Sequence, residues 1–296
     1  MIGVVRIAIV GFGLIGGSIA RALRRPAAET TPDDDAGRPW IAAWSPTRDG
    51  PDRALSEGIV DAAPMTLAGA IADTELVVLA APALACLDLL AQLAGSSTGL
   101  LGPAATLTDV ASTKRLLVER ADALGLSFVG GHPMAGREIT GYGAAQEDLF
   151  VQRPWIVCPG IRAAAVDVAR VEWLARACGA RPVRLAPADH DAAVAAISHL
   201  PLILSASLAE AVGARPDWPI AAGLAASGWR SMTRLALGDP SMGAGIAATN
   251  ARELSAAIRA IQVVLDRWLA DLADPNPDAD LLAARLEGAR RALEPR

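Results

Sequence analysis

The strongest constraint on what this chain can fold into lies near its start, where an apolar run meets a glycine turn and then a helix. Val4 to Val10 is nearly continuous in apolar and β-branched residues, which suits a strand buried on both faces. It leads directly into Gly11-Phe12-Gly13-Leu14-Ile15-Gly16, and the helical stretch Ser18 to Arg25 follows. Gly11 permits the tight turn, Gly13 lets the backbone approach a pyrophosphate, and Gly16 lets helix and strand pack closely. The helix start then offers free N–H groups and a positive dipole end to the phosphates. Between that strand and that helix the six residues predict a dinucleotide-binding turn rather than an ordinary loop.

The alternation of strand and helix continues as such a turn demands. Pro26 to Pro39 reads as a solvated loop that delays the second strand, Ile41 to Ser45. In the standard unit an acid roughly 20 residues on holds the ribose 2′-hydroxyl. None stands here; Ser45, Thr47 and Arg48 supply hydroxyls and a cation, the surroundings a 2′-phosphate needs. The stretch favours NADP, with NAD the alternative if these residues only make a turn. Leu76 to Ala80 is the next strand, and the small Ala81-Pro82 after it leaves room for a nucleotide. Thr106 to Val110 follows, then a helix reaching Leu124. Ala81, Pro82 and Asp109 are expected along the cofactor.

Ser127 to Val129 delivers Gly130-Gly131-His132-Pro133-Met134-Ala135-Gly136. An imidazole between glycines and a helix-blocking proline is expected on a stiff, solvent-reachable turn, able to carry a proton near neutral pH. His132 and Ser112 both fall at carboxyl ends of strands, where open α/β sheets bind ligands. The hydroxyl of Ser112 or Thr113 either orients His132 or caps the helix that follows. Arg137 to Phe150 reads as loop and short helix. Strands Trp155 to Cys158 and Val183 to Ala186 flank a helix from Ala163 to Cys178. The alternation stops at Pro187. The expectation is a doubly wound Rossmann-type α/β domain over 1–186 and an all-α domain over 187–296.

In the helical part, Asp189-His190-Asp191 opens a helix, its acids suiting the positive end. His190 and His199 are about half a turn out of phase on one helix, so they form no metal pair, and no metal site is expected. Arg230 and Arg234 share a face if helical and look like a carboxylate clamp, with solvated arginines the plain alternative. Asn250 to Leu272 is a long helix with an apolar stripe, Asp274 to Asp278 breaks it, and a last amphipathic helix reaches Leu293. No internal repeat is present.

A net charge of −5 and the lack of a lysine/arginine block argue against nucleic acid as a partner. Cys86, Cys158 and Cys178 form no C-x-x-C pair, which fits a reducing cytoplasm rather than a disulfide framework or a zinc site. No cleavable signal is expected in Met1 to Gly17. The apolar run from Ala192 to Val212 contains His199, Pro201 and Glu210, and reads as a buried helix pair rather than a membrane span.

Taken together, several segments resemble the family of prephenate and arogenate dehydrogenases of tyrosine biosynthesis. They are Gly11 to Ser18, Asp109 to Lys114, Gly131 to Gly136, Ser198-His199-Leu200-Pro201, and Gly228 to Ala236 closed by Asp239-Pro240. The glycine fingerprint is common to many oxidoreductases; His-Pro-Met-Ala-Gly combined with Ser-His-Leu-Pro and Thr-Arg-Leu-Ala is far more specific. The resemblance implies a Rossmann domain followed by a helical domain that pairs two subunits, with the active site between domains. It implies that hydride leaves the ring carbon bearing the 4-hydroxyl, the ring carboxylate departs as CO₂, and the ring becomes aromatic. On this pattern His132 takes the hydroxyl proton, general-base help worth about 10²–10⁴ in rate. Ser112 orients that imidazole and the nicotinamide, Arg234 holds the side-chain carboxylate, and Arg230 and His199 are further substrate-binding residues.

One departure concerns a second histidine that many prephenate users carry three residues after that of Ser-His-Leu-Pro; here Leu202 stands there, which suits an arogenate-accepting pocket. No regulatory segment is expected after the helices, so feedback by tyrosine would act at the active site. One rival is another Rossmann-plus-helical reductase, such as a β-hydroxyacid dehydrogenase or imine reductase. That class uses a lysine on a central helix, whereas Lys114 follows a strand. The other rival, a nucleotide-sensing regulator, has no use for a clustered His132, Ser112 and Arg234.

Overall fold

In the computed structural model, which describes residues 6–25, 38–95, 100–102, 104–137 and 139–294, the first half of the chain alternates as expected. The elements are β1 (Arg6–Val10), α1 (Leu14–Ala22), β2 (Trp40–Trp44), α2 (Asp49–Ser56), α3 (Leu67–Ile71), β3 (Leu76–Leu79), α4 (Ala83–Gly95), β4 (Thr106–Asp109), α5 (Arg115–Ala123), β5 (Phe128–Pro133), β6 (Pro154–Pro159), α6 (Ala165–Ala177) and β7 (Arg181–Arg184). Val4, Val5 and most of the Pro26 to Pro39 loop lie outside the described residues. The seven strands form one sheet in the order β2-β1-β3-β4-β5-β6-β7. The first five are parallel, β6 runs antiparallel to β5, and β7 is parallel to β6. The order reverses between β1 and β3, and it is at such a switch point that open α/β sheets bind nucleotides.

Side-chain alternation builds a core on each face of the sheet. Ile7 and Ile9 of β1 pack with Ile19, Phe150 and Trp155, while Ala8 and Val10 face Val77, Leu79, Leu107 and Phe128. Two expected boundaries shift. The last strand ends at Arg184, short of Ala186. β5 runs on well past Val129, so that His132 pairs with Ile156 of the antiparallel β6. Gly130 and Gly131 are therefore strand residues, needed for close packing. A Cβ at Gly131 would lie 2.5 Å from the Asp109 carbonyl oxygen.

The second half is helical: α7 (Pro187–Val194), a π turn (Ala195–His199), α8 (Leu200–Gly213), α9 (Trp218–Gly223), α10 (Ser227–Thr233), a 3₁₀ turn (Arg234–Leu237), α11 (Pro240–Thr249), α12 (Ala251–Leu272) and α13 (Ala279–Ala292). The expected buried helix pair is instead one helical run over Pro187–Gly213, long and apolar enough to cross a membrane by length and composition, with 22% of its most apolar window buried within the chain. Pro201 does not break it. It lies two residues past the π turn, where the hydrogen-bond pattern of the run is already shifting from π to α. Asp239 caps α11, its carboxylate accepting from the N–H of Ser241 (2.7 Å) and Met242 (3.2 Å).

Candidate active site

The glycine turn closes for three separate reasons. Gly11 has φ +94°, and a Cβ there would lie 2.5 Å from the Ala80 carbonyl oxygen. At Gly16 a Cβ would lie 2.3 Å from the carbonyl oxygen of Gly11. Gly13 has nothing within 4 Å of that position, so its backbone is open to a ligand. In front of it is a cavity of about 360 Å³, lined among others by Gly13, Leu14, Ile15, Ala81, Pro82 and Ser112. Phe12 is turned away from this cavity and packs on Tyr142, with ring centroids 5.4 Å apart.

Two of the residues expected along a cofactor are engaged elsewhere. Asp109 is fully buried, paired with Lys114 Nζ and accepting from the N–H of Ala111 (2.9 Å) and Gly131 (3.1 Å). It ties the β4 and β5 ends together and does not face the cavity. Arg48 pairs with Asp52 and donates to the carbonyls of Pro64 (2.7 Å) and Ala63 (3.0 Å). Ser45 Oγ and Thr47 Oγ1 lie 3.3 Å apart in exposed surroundings.

His132 departs from expectation most. It sits at the end of a strand, 9% exposed, not on a solvent-reachable turn. Burial holds its pKa well below the usual 6.5, helped by the nearby His190, Lys114 and His199. The ring is therefore neutral at pH 7. Its Nδ1 lies 2.8 Å from His190 Nε2, and His190 Nδ1 lies 2.8 Å from Asp191 Oδ1. A carboxylate only accepts, so His190 carries its proton on Nδ1 and accepts at Nε2 from His132 Nδ1–H. This leaves Nε2 as the lone-pair nitrogen of His132. Burial pushes the Asp191 carboxyl up, but hydrogen bonds from His190 and from the backbone N–H of Lys114 (2.7 Å) and Arg115 (3.0 Å) outweigh it and hold it below the usual range.

The orienting hydrogen bond to His132 thus comes from His190, not from Ser112. Nor does Ser112 cap α5; Asp191 does that from the helical half. Ser112 and His132 nevertheless both line a second cavity of about 730 Å³ as well as the first, so they stand where the two meet. The larger cavity is also lined by His199, Leu202 and Arg234. Arg230, on α10, is not among its lining residues, whereas Arg234, at the start of the 3₁₀ turn, is. Among the described residues no group of three or more His, Cys, Asp or Glu is placed to hold a metal ion.

Sequence reasoning misses His190, Asp191 and the buried Asn250, which reads only as the start of α12. A usable signal existed: the chain has 3 histidines, and a histidine directly followed by an acid can have its tautomer set by that acid.

Fold and site together define a two-domain nucleotide-binding protein with a pair of hydrogen-bonded imidazoles at the join. The family model for the prephenate dehydrogenase nucleotide-binding domain matches residues 41–184, and that for the prephenate dehydrogenase dimerization domain matches residues 186–285. The chain belongs to the prephenate dehydrogenase family. It is 33% identical over 242 residues to the prephenate dehydrogenase of Bacillus subtilis, covering 80% of this chain and 62% of that protein; the chain thus spans under two thirds of that relative's length. Among solved structures it is similar to Synechocystis arogenate dehydrogenase (31% identity, TM-score 0.77, covering 98% of this chain and 100% of that one). It shares its fold with Aquifex aeolicus prephenate dehydrogenase in complex with hydroxyphenyl propionate and NAD+ (22% identity, TM-score 0.82, 98% of each chain).

Proposed function

We propose that this chain catalyses the NAD(P)-dependent oxidative decarboxylation of prephenate or arogenate, forming 4-hydroxyphenylpyruvate or tyrosine. The observation that carries the reading is the position of His132 and Ser112 at the junction of the two cavities, one shaped for a dinucleotide and one holding Arg234. The open Gly13 backbone and the small Ala81-Pro82 edge fit a dinucleotide, and a nicotinamide supplies the hydride acceptor when bound. His132 Nε2 takes the proton of the ring hydroxyl as the hydride departs. The positive charge that develops on its ring is shared toward Asp191 through His190. Arg234 holds the side-chain carboxylate, and Ser112 contacts the hydroxyl or the nicotinamide edge. Loss of CO₂ and aromatisation make the reaction one-way.

The domains divide between 186 and 187 on this reading, and two copies pair through the helical half. The family description of that half as a dimerization domain supports the pairing, as does the apolar stripe Leu265, Leu269 and Leu272 exposed on α12. The free cysteines Cys86, Cys158 and Cys178 suit a reducing cytoplasm. Ser45 and Thr47 favour NADP; the engagement of Arg48 with Asp52 and two carbonyls favours NAD as the second reading. Leu202 in the cavity wall, where a histidine would add a polar contact, favours arogenate.

Steady-state rates with prephenate and arogenate, each with NAD and NADP, test the proposal. Turnover to an aromatic product with at least one pair is expected, and no turnover with any pair rejects it.

A further inference from the structure

All three histidines of the chain lie in one buried cluster, yet two different anchors hold them. His190 is held by the side chain of Asp191. His199 is held, through Asn250, by the backbone carbonyl of the same residue. On an unbroken α-helix His190 and His199 would point about half a turn apart, but a π turn inserts roughly one residue and rotates the helix beyond it back by about 100°. That π turn ends at His199, which is brought to the side where Asn250 and the cavity lie.

Asn250 is fully buried, and its Nδ2 donates to the Asp191 carbonyl oxygen at 2.8 Å. This bond sets the orientation of the amide, because the flipped form would bring Oδ1 against another oxygen. The same Nδ2 lies 3.2 Å from His199 Nδ1. An NH₂ group offers only hydrogens, so Nδ1 must be the lone-pair nitrogen and the proton sits on Nε2. Among the described residues that Nε2 is buried and has no hydrogen-bond partner, on a ring that lines the larger cavity. Burial pushes the His199 pKa down to about 4, so the ring is neutral near pH 7.

We propose that Asn250 is a positioning residue that locks His199 as its Nε2–H tautomer, so that an N–H donor faces the substrate cavity into which His132 presents a lone pair. The site then holds one acceptor and one donor of fixed identity. A hydroxyl suits the first, and a carboxylate or carbonyl oxygen suits the second. An ammonium group is disfavoured at His199, because a neutral donor cannot accept from it. The assignment of that oxygen to the substrate rests on the function proposed above; the tautomer does not.

The full chain, labelled with ¹⁵N-histidine and assigned with a His199→Gln variant, gives three imidazoles in a long-range ¹H–¹⁵N correlation at pH 7. The expected pattern is a proton on Nε2 of His199 and on Nδ1 of both His132 and His190. Asn250→Asp replaces the donor with an acceptor and should move the His199 proton to Nδ1. It should also raise KM roughly tenfold, the loss of one hydrogen bond, with kcat and cofactor Kd changed far less. A parallel rise for prephenate and arogenate assigns the oxygen to a carboxylate common to both; a rise confined to prephenate assigns it to the keto group. A wild-type His199 protonated on Nδ1 overturns the lock, whether or not the variant folds. A shifted tautomer with unchanged KM overturns its role toward substrate. The stated tautomers without turnover of either ring substrate would leave the lock standing and remove the function.

Discussion

The sheet half covers both faces of its sheet with its own helices, whereas past Ala195 the helical half buries a single large apolar side chain among the described residues, Leu254. Ile220, Leu224, Leu237 and Leu269 are all exposed there. Apolar surface on that scale supports the pairing of two copies proposed above. Alongside the packing of α11 on α4, polar contacts tie the helical half to the sheet within one chain. Asp191 caps α5, Thr113 and Thr249 share a hydrogen bond of 2.8 Å, and His190 meets His132. The difference teaches that the sheet carries the fold, while on the proposed function the join carries the chemistry. Two of the groups at this join, His190 and Asp191, also set the tautomer of His132.

The sharpest way to test that division is His132→Asn, which removes the base from the sheet side. Turnover should fall at least about a hundredfold, within the range of general-base effects, with cofactor Kd nearly unchanged by fluorescence titration. An unchanged rate would overturn the assignment of His132. Next in size is Leu269→Glu on α12, which should weaken self-association by at least about tenfold in sedimentation while the sheet half keeps its cofactor affinity. A variant that associates as tightly as the parent contradicts pairing through that stripe.

A smaller effect probes the join through pH. Unfolded histidines titrate near 6.5, and both His132 and His199 are lowered in the folded chain, His199 to about 4. Below about 6.5 the unfolded state binds more protons than the folded one. Stability from these rings is therefore fully present above that pH and is lost as pH falls toward their folded values. In calorimetry the fall of Tm between pH 6.5 and 4.5 should be shallower in His199→Gln; identical slopes would show that this ring is not held neutral. The smallest expected change is Ser45→Asp, confined to the sheet half. It should shift preference from NADP toward NAD severalfold through repulsion of a 2′-phosphate, and no shift removes the cofactor argument built on Ser45 and Thr47.

Much of the sheet half is legible in the sequence because its signals are local. The β1 run, the glycine spacing and the small Ala81-Pro82 each state a backbone need that neighbouring residues satisfy. His132 and Ser112 are legible as cavity-lining residues by their place near strand ends. Their surroundings are not: Gly-Gly-His-Pro reads as a turn, and only pairing with β6 extends the strand through it. Arg48 is legible as a cation but not as one already held by Asp52 and two carbonyls. Arg230 and Arg234 have helical spacing, yet the winding changes between them.

By itself the sequence determined the nucleotide turn and the change from alternating strands to helices, since backbone freedom at Gly11 and apolar periodicity are properties of adjacent residues. Only the tertiary structure decided which nitrogen of His132 and of His199 holds the proton. The partners responsible, His190 for His132 and Asn250 for His199, stand 58 and 51 residues away along the chain. Their meeting depends on one π turn and on the docking of helices against β5, and a hydrogen bond is made by position rather than by composition.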